Sequence, residues 1–251
     1  MDAIKIENLT KSYGDFTLDN ISFALPMGTI LGIVGENGAG KSTIIKLIMN
    51  AIQADSGKVS IFGISNQSPE FLSLKQDIGI VLDEAYFPEV LNARNINQIM
   101  KETYTNWEER TFFNYIESFK LPLNKKFNDY SRGMKMKLSI AAALSHNAKL
   151  LILDEATGGL DPMVRDEILN IFNDFTRDET HAVLISSHII SDLEKICDYI
   201  AFIHRGKLIL WEEKDLILNK YGIIKLSPAD FEVLPSSAVI SAKKTVYGYE
   251  A

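Results

Sequence analysis

The chain has 251 residues, 46% hydrophobic and 24% charged, with a formal net charge of -7. That length holds one large domain or two small ones, with a core that needs no covalent staples. The acidic balance argues against a non-specific nucleic-acid binder, and the single cysteine, Cys197, excludes an internal disulfide and suits a reducing, cytosolic setting. Residues 1–12 contain no apolar signal core. No uninterrupted apolar run approaches the roughly 20 residues that cross a bilayer, so any membrane role is expected to run through a partner.

Ile4 and Ile6, then Ile21, Phe23 and Leu25, alternate with polar residues, which predicts half-buried strands with a turn at Gly14-Asp15. Residues 29–34 are a continuous apolar run suited to a buried strand, and Ile44, Ile45, Leu47 and Ile48 after the glycine-rich loop have helical spacing. Residues 57–62 read as another strand. From about 91 to 144 the pattern is mainly helical, with Met100, Tyr104 and Trp107 on one face, then Phe112, Phe113, Ile116 and Phe119, and a break at Pro122. Strands are predicted at 150–153 and 182–185 around a helix over 163–175. Residues 199–203 and 207–211 flank His204-Arg205-Gly206 as a hairpin. After Lys214 the pattern weakens to short strands at 223–226 and 239–246, and the chain stops inside a strand-like stretch, the mark of a truncated or degenerate C-terminal module.

Gly35, Glu36, Asn37, Gly38, Ala39, Gly40, Lys41 and Ser42 fit the Walker A pattern in full, followed by Thr43. The glycines let successive backbone N–H groups curl inward onto phosphate oxygens, and the following helix adds its positive end. Lys41 is expected on the β- and γ-phosphates, and the Ser42 hydroxyl on Mg²⁺. An ordinary glycine-rich turn with a chance lysine does not account for four fixed positions between a strand and a helix.

Residues 150–153 form an apolar strand that ends in Asp154 and Glu155. Buried carboxylates there are costly without a cation, and a metal beside a nucleotide supplies one. Asp154 is expected to orient the metal's water shell and Glu155 to polarise the attacking water. A solvated strand end or a helix cap is the other reading of the pair taken alone. His188 closes the next core strand, at the edge where ligands bind in open α/β sheets, and is expected to hold the γ-phosphate and the attacking water. His146, His181 and His204 lack such context.

In this order the residues resemble the ABC transporter ATPase family over roughly the first 215 positions. The distinctive mark is Tyr130-Ser131-Arg132-Gly133-Met134, which is similar to the family signature Leu-Ser-Gly-Gly-Gln. In the family this segment of one subunit caps the ATP held by the Walker A loop of the other. The resemblance therefore assigns nucleotide contacts to Ser131, Gly133 and Met134, while Ser131 also reads as a plain helix cap. Arg132 and Met134 depart from the consensus and resemble the Tyr-Ser-Lys-Gly-Met form of the ABC-2 branch, which holds many drug and peptide exporters. Residues 157–162 resemble the D-loop region, with Asp161 reaching across the dimer. Tyr13 matches the adenine-stacking aromatic, or is a strand-end core tyrosine. Where the family's Q-loop has glutamine this chain has Asp83, a metal ligand direct or through water, or a solvated loop charge. Tyr86-Phe87-Pro88 is read as the start of the membrane-partner contact, or as packing of the helical insert.

The resemblance implies an α/β P-loop NTPase: a RecA-like core with an antiparallel β subdomain (1–84 and 147–215), an inserted helical subdomain (85–146) and a C-terminal extension (216–251). It implies ATP and Mg²⁺, a second nucleotide-binding subunit in a homodimer or heterodimer, and a separate transmembrane permease, with the chain on the inner face of the cell membrane and no nucleic-acid partner. The runner-up is a soluble ABC ATPase acting on ribosomes or DNA. Those members usually carry two such domains or a long coiled coil, neither of which is seen here. A P-loop kinase or GTPase is disfavoured by the signature, by His188, and by the lack of a guanine-reading Asn-Lys-x-Asp.

Overall fold

Alternating apolar residues near the N-terminus build an antiparallel sheet. In β1 (Asp2–Tyr13) and β2 (Phe16–Pro26), Ile4, Ile6 and Leu9 are buried opposite Leu25, Phe23 and Ile21. The alternation skips a residue at Asn8, whose φ of 49° sits in a register shift between Ile6 and Leu9, as in a β-bulge. A computed structural model describes residues 1–83, 87–235, 239 and 241–250. After β3 (Ile30–Val34) and α1 (Lys41–Ile48), β4 (Ser56–Ile61) and β5 (Ile64–Ser65) complete this sheet in the order β2-β1-β4-β5.

The chain continues through α2 (Phe71–Leu74), β6 (Ile78–Val81), α3 (Ala93–Thr103), α4 (Glu109–Ser118), α5 (Arg132–Leu144), β7 (Leu150–Asp154), α6 (Pro162–Phe175), β8 (Ala182–Ser187), α7 (Ile190–Ile196), β9 (Tyr199–His204) and β10 (Lys207–Glu213). A second sheet has the order β10-β9-β3-β8-β7-β6, with β9, β3, β8, β7 and β6 parallel. Both its faces are covered, which is why β7 and β8 are buried throughout and read as apolar runs. Along β7 the faces alternate: Leu150 and Ile152 join the core with α1 and the first sheet, while Leu151 and Leu153 join the core with the helices. The register pairs Val34 with Ser187, Asp154 with Ser186 and Val81 with Leu153, so the carboxyl ends of β3, β8, β7 and β6 line one edge.

One helical expectation is corrected. Met100, Tyr104 and Trp107 do not share a helix face, because α3 ends at Thr103 and Tyr104 is extended. The tyrosine leaves the helix to stack on the buried His146, centroids 3.9 Å apart, and the Trp107 indole N–H donates to Asn97 Oδ1 at 2.9 Å. The hairpin at His204-Arg205-Gly206 forms as expected. Arg205 and Gly206 have φ of 46° and 76°, the two positive values that a tight primed turn requires.

The chain divides into two compact units, Met1–Glu212 and Glu213–Ala251. The second holds α8 (Lys214–Lys220), β11 (Lys225–Leu226), α9 (Pro228–Val233), β12 (Lys243–Thr245) and β13 (Gly248–Glu250), with the sheet order β11-β13-β12. The Phe231 ring stacks on Tyr249 at 4.1 Å within this unit. The strand expected over 239–246 is reduced to β12; Ile240 lies outside the described residues.

Candidate active site

The loop between β3 and α1 turns on Gly38 and Gly40, with φ of 81° and 114°. A side chain at Gly35 would collide with the carbonyl oxygen of Ile203 in β9, so this glycine allows the loop to sit down on the sheet. Gly206 supports the loop from the neighbouring turn, its N–H donating to the Ala39 carbonyl at 3.0 Å. Gly40 stands at the N-cap of α1, and no side chain caps that helix. Its first N–H groups therefore have no side-chain acceptor, which is the arrangement a phosphate cradle requires. Glu36, Asn37 and Gly38 are exposed along the rim, Ala39 is buried, Ser42 is exposed and Thr43 is half-buried.

Lys41 is buried, its ammonium donating to the Gly35 and Glu36 carbonyls at 2.8 and 3.3 Å. It also lies 3.2 Å from Glu155 Oε1. That oxygen is buried and accepts no hydrogen bond: the ammonium is near but outside hydrogen-bond geometry. Glu155 itself has a φ of 51°, left-handed backbone that an L-residue adopts at some cost. Its other oxygen, Oε2, lies 2.6 Å from His188 Nδ1. The expected catalytic pair is thus in direct contact, with Glu155 half-buried and His188 exposed.

Ser186, a residue that no motif marks, ties the Asp154 carboxylate to the Glu155 backbone. Its hydroxyl donates to Asp154 Oδ1 at 2.5 Å and accepts from the Glu155 N–H at 3.1 Å. Its position just ahead of His188 at a strand end was the available signal. Asp154 is buried, the last residue of β7. Ser42, Asp83 and Asp154 line one cleft of about 320 Å³. All three offer hard oxygen donors, the set Mg²⁺ prefers, with the remaining octahedral positions left to phosphate and water. These residues fit the ion.

The other expected site residues, and Asp83 within the cleft, have partners of their own. Ser131 is the N-cap of α5 and accepts from the Met134 N–H at 3.3 Å, so the capping reading describes its present bond. Gly133 is half-buried, and Met134 packs its side chain against the helical core. Among the described residues, no hydrogen bond or ion pair joins 131–134 to the loop at 35–43 of the same chain. Asp161 caps α6 through the Val164 N–H at 3.1 Å. Tyr13 is 45% exposed at the end of β1, with the Lys11 ammonium 5.5 Å from its ring centre. Asp83 has a partner that the sequence did not suggest: Arg132 Nη2, at 2.8 Å. Phe87 packs edge-on against Phe127 at 5.7 Å, which favours the packing reading for that residue; Tyr86 lies outside the described residues.

A phosphate cradle and a carboxylate–imidazole pair on the carboxyl edge of a parallel sheet define a P-loop nucleoside triphosphatase. Residues 18–158 match the family model described as ABC transporter. The chain is 35% identical over 210 residues to the bacitracin transport ATP-binding protein BcrA of Enterococcus faecalis, covering 82% of this chain and 68% of that protein. It is 38% identical over 215 residues to the lantibiotic transport ATP-binding protein SrtF of Streptococcus pyogenes, covering 84% of this chain and 91% of that protein. A solved structure described as the ATP binding subunit of an ABC transporter superposes with a TM-score of 0.79 at 26% identity, over 87% of this chain and 92% of that one. The chain belongs to the ABC transporter family, as an ATP-binding subunit that hydrolyses ATP.

Proposed function

We propose that this chain energises a separate membrane permease by closing on a second nucleotide-binding subunit around Mg·ATP, and that Glu155 is the group that commits ATP to hydrolysis. The observation that carries the reading is the Glu155 carboxylate itself, held between Lys41 at 3.2 Å and His188 at 2.6 Å. Lys41 and the N–H groups of 35–43 bind and orient the β- and γ-phosphates. Glu155 accepts the proton of the attacking water, and His188 holds the carboxylate and the γ-phosphate in register. Ser42 and Asp154, with Asp83, would hold Mg²⁺, which when bound neutralises charge developing on the phosphate oxygens. Tyr13 stacks on adenine.

Ser131, Gly133 and Met134 stand away from this chain's own loop, which supports the reading that they serve the ATP of a partner subunit, with Asp161 on the same shared face. No helix among the described residues is long and apolar enough to cross a membrane. A permease partner on the inner face of the cell membrane fits a chain whose relatives are named for transport. Those names, bacitracin and lantibiotic transport, favour export of a drug or peptide, and a homodimer is the simplest assembly because both Glu155 and His188 are present. Tagged full-length chain should co-purify from detergent-solubilised membranes with a polytopic membrane protein. Recovery of ribosomes or DNA instead, with no such protein, would contradict the permease assignment.

A further inference from the structure

Arg132 occupies the first turn of α5, where a cation opposes the helix dipole and no acidic residue is present to offset it. Its surroundings supply the missing anion from elsewhere. Nη2 donates to Asp83 Oδ1 at 2.8 Å, across 49 residues of sequence. The guanidinium also lies against the loop that follows Glu155: a side-chain carbon placed on Gly159 would stand 2.9 Å from Nη1, and one on Gly158 would stand 3.6 Å from Nη2. Gly159 has a φ of 70°, so the backbone there is shaped for glycine and leaves room for the arginine. One side chain thus touches the segment after β6, the segment after β7 and the start of α5.

Asp83 faces two ways. It takes the Arg132 guanidinium, and it lines the cleft that contains Ser42 and Asp154. The pair is exposed, at 58% and 49% of the two side chains. Exposed pairs are weak and yield to a stronger cation. A divalent ion in the cleft and the guanidinium therefore compete for the same carboxylate.

We propose that Arg132 is a positioning residue that holds Asp83 away from the metal of Mg·ATP, so that metal binding at Ser42 and Asp154 draws Asp83 inward and frees the first turn of α5. This rests on the nucleotide site proposed above. It links occupancy of one ATP site to the freedom of Ser131 and Gly133, the residues offered to the other. In a sandwich of two subunits, each chain would present its signature turn only after loading its own Mg·ATP.

The test is calorimetric binding of a non-hydrolysable ATP analogue to the full chain at stepped Mg²⁺ concentrations. Arg132→Gln should lower the Mg²⁺ concentration at half-saturation by about two- to five-fold, the range an exposed ion pair can hold back. Arg132→Lys should stay close to the parent chain. Asp83→Asn should raise the requirement, and Arg132→Gln should have no further effect in that background. An Arg132→Gln chain with the parent's Mg²⁺ requirement, or one whose shift persists in Asp83→Asn, would overturn the proposal while leaving the nucleotide site standing. Lys41→Ala separates the two failures: undiminished analogue binding by that variant would remove the site itself.

Discussion

Oε2 of Glu155 lies 2.6 Å from Nδ1 of His188, while the other oxygen of the same carboxylate faces the Lys41 ammonium at 3.2 Å. The carboxylate is fixed by a left-handed backbone, by Ser186 beneath its N–H, and by two basic side chains converging from the residue after β8 and from α1. Its own position leaves little freedom, so its chemistry can be removed with a small change of shape.

Glu155→Gln keeps the size and most of the packing but cannot take a proton. ATP binding should change little, and phosphate release should fall by about 10²- to 10⁴-fold, the usual weight of a positioned base. Nucleotide affinity and phosphate release measured on the same preparation check this, and normal turnover would remove Glu155 from its role.

Lys41→Ala withdraws the ammonium that the cradle is built around. ATP affinity should fall at least about tenfold, since a charge-assisted contact to phosphate is worth roughly 1.5–3 kcal/mol. Glu155 Oε1 then loses the ammonium beside it, so the thermal midpoint of the free protein should also fall.

Ser186→Ala tests the residue that joins the Asp154 carboxylate to the Glu155 backbone. The loss leaves Asp154 without its 2.5 Å donor, while the Glu155 N–H keeps the Ser186 carbonyl at 3.1 Å. A stability decrease of about 1–3 kcal/mol is expected by urea unfolding. Turnover should fall while ATP affinity is largely kept, because the cradle at 35–43 does not use Ser186.

His146 gives a pH-dependent contribution to stability. Burial lowers its pKa from the ordinary 6.5, against weaker opposing effects of the Ala142 and Ile78 carbonyls and of Asp77. The unfolded chain then binds a proton that the folded chain resists. The penalty is absent above about pH 6.5, and grows as the pH falls from there toward the depressed folded value, by at most about 1.4 kcal/mol per pH unit. Urea midpoints at pH 8 and pH 5.5 should differ more in the parent chain than in His146→Gln. Equal differences would show that the ring is not resisting protonation.

Much of the fold and the centre of the site could be read from the chain because their signals are local. The run before Gly35, the glycines, and Lys41-Ser42 specify a strand, a cradle and a helix within twenty residues. The apolar strand ending in Asp154-Glu155 is local too. What was not legible depends on distant partners. Tyr104 leaves its helix for His146, Ser186 matters because register sets it opposite Asp154, and Gly206 supports Ala39 from the turn after the neighbouring strand β9. Asp83 is visible as a departure from the family glutamine, but its ion pair joins positions 49 residues apart, and no spacing rule connects it to Arg132. The signature residues carry the opposite difficulty: they make no hydrogen bond or ion pair to the cradle of their own chain, and the role proposed for them needs a second one.

That second chain is the central claim, and sedimentation tests it most directly. The Glu155→Gln protein, centrifuged at fixed concentration with Mg·ATP and again without nucleotide, should sediment as a dimer of 28.1 kDa chains only when Mg·ATP is present. Ser131→Arg in the same background should return it to the monomer while each chain still binds ATP. A Glu155→Gln chain that is saturated with Mg·ATP and remains monomeric would contradict the account.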